Sequence, residues 1–321
     1  MGQVFDKIVT VKNCISSFLY YLYKKGGEFM KVDNSMELGE LYRELRIARG
    51  LKLKDVAREN LSVSQLSKFE NGQNMLAADK LLLAISGIHM TFSEFGHALN
   101  NYEESDFFKI GNQIVEFQSK RDIEGLKKIL DTYGDYESFD TYNRLNRLVV
   151  RVAIHTLDHS YTISEEDKEF LATYLYNIEE WTEYELTLFG NMMIILSVED
   201  LIFLGKAFVE RNKLYISIPT NKKNAQIALL NLIMILIEGK EFYHTTYFIN
   251  HLEKLLTYQD MFIIVSLNFL KQIIAYVQGE ITDKSELEYY VNMVEKLGNP
   301  TMAMFLRANM EQLLLNFDSN K

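Results

Sequence analysis

Two sets of side chains stand out by type and spacing, and both suit hydrogen-bond recognition rather than bond making. The first is Ser64, Gln65, Ser67 and Lys68, in the run SVSQLSKFENG that begins at Ser62. A Gln amide offers a donor and an acceptor on one edge, a Ser hydroxyl offers either, and a Lys supplies a point charge. The second is an Asn that returns within apolar stretches, at Asn146, Asn191, Asn231, Asn268 and Asn309, at intervals of 45, 40, 37 and 41 residues. An amide among Leu, Ile and Met is costly unless its polar atoms are met, and its donor–acceptor face matches a peptide unit. Beside Asn146, Arg147 and Arg151 sit one helical turn apart and could grip a carboxylate through paired N–H bonds. Groupings for catalysis are weaker. His155 and His159 could share a zinc ion, but Thr156 stands where a metallohydrolase carries the Glu that activates water. Phosphate-cradling glycine loops and paired-Cys motifs are missing from the chain, and clusters such as Glu165-Glu166-Asp167 suit helix first turns. The expectation is a non-enzyme with no metal and no cofactor.

The first set needs a rigid frame. Leu38, Leu41, Leu45 and Ala48 recur at helical spacing, with Arg43, Arg46 and Arg49 assigned to a basic flank, and Gly50 ends that helix. Leu53, Val56 and Ala57 predict a second helix stopping near Asn60. Ser62 and Gln65 then form a capping box that starts a third helix, Val63 to Glu70, with Leu66 and Phe69 facing inward and Asn71-Gly72 closing it. Two short helices meeting at a tight corner are a helix-turn-helix, the layout that sets a helix in the major groove of DNA.

These residues, with Arg49-Gly50, Val56-Ala57 and Leu61-Ser62 through Gly72, resemble the phage-repressor type of helix-turn-helix, together with a further helix from Ala77 to Ile85 and the tail Phe92 to Phe95. Lys52 departs from that pattern where a Ser or Thr usually caps the second helix, and Leu53 departs where a Gln often touches phosphate. The resemblance implies that Val63, Ser64, Gln65 and Lys68 face the groove, with Gln65 on adenine, Val63 on a thymine methyl and Lys68 on guanine or phosphate. Arg43, Arg46, Arg49, Ser67 and Asn71 complete the expected DNA contacts.

Composition fits this layout. The 321 residues are 48% hydrophobic and 12% aromatic, with only 2 Pro and 16 Gly, which suits an all-α chain with short connections. The net charge of −10 is uneven: residues 1–29 hold 4 basic against 2 acidic side chains, residues 30–100 hold 9 against 9, and residues 101–321 hold 21 against 33. The neutral stretch can therefore present a basic face, while modest binding per copy favours a homodimer on two half-sites. One cysteine, Cys14, excludes an internal disulfide, and the apolar run from Cys14 to Tyr23 is too short to cross a bilayer. The expected location is the cytoplasm, without membrane contact. Lys24 to Met30 can be encoded by a purine-rich run just before an ATG, as a translated ribosome-binding site would be. Residues 1–29 are accordingly expected to be leader read as protein, the alternative being an extra amphipathic helix.

The second set falls in residues 102–318, a train of helical segments expected near 103–120, 122–133, 138–158, 164–179, 182–196, 198–211, 221–238, 241–257, 261–278, 283–297 and 300–316. With the helix-turn-helix at 36–98, this predicts a C-terminal tetratricopeptide-like solenoid of stacked hairpins. One Asn per hairpin would line a groove for an extended peptide, with Phe189, Met192, Met193, Leu230, Ile233, Met234, Phe269 and Ile273 taking its apolar side chains. Each Asn could instead bridge helices within the core. For Arg147 and Arg151 ligand contact is expected, the alternative being an internal salt bridge.

Together the two domains, and the phrase SVSQLSKFE from Ser62 above all, resemble the Rgg family of RRNPP peptide-responsive regulators. The resemblance implies quorum sensing: a homodimer that binds double-stranded promoter DNA and a short hydrophobic signalling peptide, with RNA polymerase as a further partner. Some dimers of that family are linked by a cysteine in the DNA-binding domain; this sequence has none there, so its dimer would be noncovalent. The competing reading is a DNA-tethered scaffold whose repeat domain holds a partner protein.

Overall fold

The computed structural model describes residues 35–99, 106–132, 141–211 and 216–318, so the expectation about residues 1–29 lies outside the described residues. Contacts divide the chain between Asn112 and Gln113.

In the N-terminal unit the helices are α1 (Ser35–Ala48), α2 (Leu53–Val56), α3 (Val63–Glu70), α4 (Ala78–Gly87) and α5 (Phe92–Leu99). Their core is Leu38, Tyr42, Val56, Leu61, Leu66, Phe69, Ile85, Ile88 and Phe95. Tyr42 is fully buried, and its hydroxyl donates to the Ala84 carbonyl at 3.1 Å, so a large ring enters the core without an unmet polar atom. Helix α1 lies so close to α3 that a Cβ on Gly39 would stand 1.9 Å from the Phe69 carbonyl oxygen. Gly50 ends the first turn region at φ +69° and Gly72 follows α3 at φ +67°, the left-handed conformation that side chains resist.

Helix α2 is shorter than expected. Ala57 turns extended after Val56, and Arg58 and Leu61 exchange backbone bonds of 2.9 and 3.0 Å across a tight turn, in place of a helix running toward Asn60. The chain thereby drops Leu61 into the core and delivers Ser62 in the extended conformation that an N-cap requires.

From α6 (Asp106–Ser119) the chain continues through α7 (Ile123–Thr132), α8 (Thr141–Leu157), α9 (Glu165–Asn177), α10 (Glu183–Met192) with a 3₁₀ turn at Met193–Ile195, α11 (Val198–Arg211), α12 (Pro219–Glu238), α13 (Phe242–Leu255), α14 (Met261–Val277), α15 (Lys284–Lys296) and α16 (Pro300–Asp318). These bounds follow the apolar periodicity to within about three residues at most ends. Helices α8, α10, α12, α14 and α16 pack each against the next, forming one continuous layer, with α7, α9, α11, α13 and α15 packed alongside. Gly205 on α11 permits close approach, since a Cβ there would meet Leu232 at 2.6 Å and Phe248 at 2.8 Å. Trp181 anchors the middle of the unit: its indole N–H donates to the Leu175 carbonyl at 3.1 Å, and its ring lies 5.1 Å from Phe189 and 5.5 Å from Phe208.

Candidate functional site

Helix α3 is held in place at both ends. The Ser62 hydroxyl accepts from the Gln65 backbone N–H at 3.2 Å, and the Gln65 side-chain Oε1 accepts from the Ser62 N–H at 3.1 Å, the reciprocal box read from the sequence. At the far end the Asn71 amide donates to the Ser67 carbonyl at 2.8 Å. The box commits one lone pair of the Gln65 oxygen and leaves its NH₂ available as a donor. Val63, Ser64 and Lys68 are exposed on this helix, while Gln65 and Ser67 are half-buried. Lys52 supplies no side-chain cap to α2; instead the Asp55 carboxylate accepts from the Lys52 backbone N–H at 2.8 Å.

Arg46 corrects the expected basic flank. It is only 7% exposed, and its guanidinium grips Glu70 through two bonds of 2.6 and 2.7 Å while also donating to the Leu51 carbonyl at 2.5 Å. The hydrogen bond to Glu70 raises the Arg46 pKa further. Leu38, Tyr42 and Arg46 are four residues apart and share one helical face, which is the buried one. Arg46 therefore ties α1 to the C-terminal end of α3 and does not lie on an exposed basic flank. Arg43 and Arg49 remain exposed, the latter donating to the Leu45 carbonyl at 3.0 Å.

The five Asn residues occupy successive helices of one layer: Asn146 on α8, Asn191 on α10, Asn231 on α12, Asn268 on α14 and Asn309 on α16. Their surroundings differ. Asn146 is half-buried and its Oδ1 accepts from the Tyr184 hydroxyl at 2.9 Å, and Asn191 donates to the Thr187 carbonyl at 2.7 Å. Asn268 is exposed. Asn231 is 2% exposed and its Nδ2 has no hydrogen-bond partner; Asn309 is as deeply buried, with Nδ2 on the Phe305 carbonyl and Oδ1 unmet. Their depth therefore runs from 1% and 2% exposed at Asn309 and Asn231 to exposed at Asn268. Ser266 on α14, unnoticed in the sequence, lies on the opposite side of that helix from the exposed Asn268: it is buried and its Oγ lacks a partner. A small hydroxyl inside an apolar helix was the available signal.

Arg151 is likewise corrected toward its alternative reading. Its Nη1 donates to Asp167 Oδ2 at 2.5 Å, and Arg144 binds the other Asp167 oxygen at 2.9 and 3.2 Å while its guanidinium lies 4.1 Å above the Phe170 ring. Burial works to raise the Asp167 pKa, but the two guanidiniums and the Ser164 hydroxyl together hold it below the usual carboxylate range. Arg151 thus joins α8 to α9, and Arg144, two turns earlier on the same helical face, is the second guanidinium on Asp167 that the sequence reading missed. Arg147 is half-buried on the same helix. His155 Nδ1 contacts the Tyr161 carbonyl at 2.8 Å and its ring meets His159 edge-on, 5.4 Å away. No helix among the described residues is long and apolar enough to cross a membrane.

A capped reading-type helix in a unit with five helices among the described residues before Asn100, followed by paired helices stacked in two layers, defines a helix-turn-helix regulator with a helical-repeat domain. Residues 126–308, more than half of the chain, match the family described as "HTH-type transcriptional regulator Rgg, C-terminal domain", and the chain belongs to the Rgg family. The fold is shared with the SHP pheromone receptor Rgg2 of Streptococcus dysgalactiae, 22% identical, with a TM-score of 0.71 over 86% of this chain and 99% of that one. A candidate transcriptional regulator of Listeria monocytogenes is similar at 20% identity and a TM-score of 0.73, over 88% and 98% of the two chains. PrgX in its complex with cCF10 is similar at 15% identity and a TM-score of 0.66, over 88% and 93%.

Proposed function

We propose that this Rgg-family regulator binds promoter DNA through α3 and that a short hydrophobic peptide, bound along the Asn-bearing layer, controls that binding. The observation that carries the peptide reading is the group of buried, unmet polar atoms on three successive helices of the layer, Asn231 Nδ2, Ser266 Oγ, Asn309 Oδ1 and Gln312 Oε1, beside one further such atom, His244 Nδ1, on α13. Each costs roughly 1–3 kcal/mol if left unpaired, which a ligand presenting backbone amides would recover. Apolar neighbours such as Phe189, Leu230, Ile233 and Phe269 are buried in the same layer and would shift to admit peptide side chains. That Rgg2 is described as a pheromone receptor and PrgX was solved with cCF10 supports the same reading.

On the DNA side Val63, Ser64, Gln65 and Lys68 would face the major groove, with Arg43, Arg49, Ser67 and Asn71 around them. With Oε1 of Gln65 shared with the cap, its free NH₂ would donate to a purine N7 or a thymine O4. The protein acts as a cytoplasmic homodimer on two half-sites, with RNA polymerase as a further partner, and as a regulator in place of a catalyst. Peptide binding alters the packing of successive repeats and so the setting of the paired DNA units.

Titrating short hydrophobic peptides against the full chain, with DNA occupancy as the readout, tests this. At least one peptide should bind saturably and change occupancy, and Asn191→Ala should reduce that response while leaving basal DNA binding intact. Absence of saturable peptide binding, with stable capture of a protein instead, would establish the scaffold alternative.

A further inference from the structure

A recess lies in the repeat unit, walled by α9 and α11 and floored by the 3₁₀ turn after α10. Its volume is about 880 Å³, within the range of roughly 300–1,000 Å³ typical of small-molecule sites. On α9 the residues Glu165, Lys168, Glu169, Ala172, Thr173 and Tyr176 recur at three- and four-residue intervals and line it along one face, and the small Ala172 and Thr173 leave the space open. On α11 the corresponding face carries Asp200 and Phe203. The Tyr176 and Phe203 rings pair with centroids 5.1 Å apart, yet each stays 49% exposed, an arrangement that hydrophobic burial alone does not explain.

The charge around its mouth is negative. Lys168 is neutralised by Glu165 at 2.7 Å, which leaves the carboxylates of Glu169 and Asp200 in excess. Asp200 takes the Ser197 hydroxyl at 2.7 Å on one oxygen only. His155, the remaining basic group on the lining, engages the Tyr161 carbonyl. An exposed aromatic pair and two carboxylates attract a cation and repel an anion. We propose that this cavity binds an organic cation, a primary amine or guanidinium carried on an apolar arm that lies against the aromatic pair. The site is distinct from the Asn-bearing layer and does not depend on the peptide reading.

Phenethylamine titrated calorimetrically against the full chain tests the proposal, with phenylacetate as the anion on the same arm. The expected result is saturable binding of phenethylamine at one per chain and no binding of phenylacetate. Glu169→Gln combined with Asp200→Asn, which keeps an oxygen for Ser197, should weaken phenethylamine at least about tenfold at an unchanged melting temperature. Phe203→Ala should weaken it several-fold, roughly what one lost cation–π contact is worth. Non-saturating phenethylamine up to millimolar concentration, equal binding of phenylacetate, or full affinity in the double variant would each overturn it.

Discussion

Arg46 shows how one side chain can be basic in sequence and structural in space. Its charge is spent on Glu70 inside the first unit, where two bonds shorter than 2.8 Å join α1 to α3. Removing one member leaves the other buried without its partner, so Arg46→Met should destabilise the N-terminal unit by about 3–5 kcal/mol, while exchanging both Arg46 and Glu70 for apolar residues should recover most of that loss. Chemical denaturation followed by tyrosine fluorescence would measure it; an Arg46→Met protein as stable as the parent would contradict the assignment. The same logic places Arg151, which sequence spacing offers as a ligand grip, on Asp167.

Among the elements, α3 owes its position to backbone proximity as much as to side chains. A methyl group on Gly39 has 1.9 Å to the Phe69 carbonyl, and backbone cannot give way as a flexible side chain can. Gly39→Ala should therefore push α1 from α3 and cost about 3 kcal/mol, at the upper end of overpacking penalties. Hydrogen exchange should quicken in α1 and α3 and stay unchanged from α8 onward; uniform protection would show that the helices accommodate the methyl. The capping box of α3 was legible because it depends on neighbours three residues apart. The length of α2 was not, because its early end serves the burial of Leu61 in a core built from distant segments.

For the whole molecule, DNA binding has to overcome a net charge of −10. A neutral reading unit attached to an acidic repeat unit should release DNA steeply as salt rises, because the favourable term is local and screened. If Lys68 meets a phosphate, Lys68→Ala should flatten the dependence of log affinity on log salt by about 1 and weaken all sites alike. Gln65→Ala should instead leave that slope unchanged and relax base preference at one position, costing about 1–3 kcal/mol on the preferred site. Binding curves on a promoter fragment and on base-substituted copies would separate the two; unchanged affinity and preference in both variants would remove α3 from the DNA interface.

Sequence alone determined what depends on short-range periodicity. Helix bounds from α6 onward, the Ser62–Gln65 box and the placing of the Asn series on one layer all follow from spacings along a single helix or from one helix to the next of its kind. Tertiary structure decided what depends on which face of a helix meets which neighbour. Whether Arg46 points to water or to Glu70, whether Arg151 meets Asp167, how deep each Asn lies and where Glu169, Asp200, Tyr176 and Phe203 converge are set by packing between segments. A polar side chain's role is fixed by its partners, and those partners lie on other helices, at 24 residues' separation for Arg46 and Glu70 and 16 for Arg151 and Asp167.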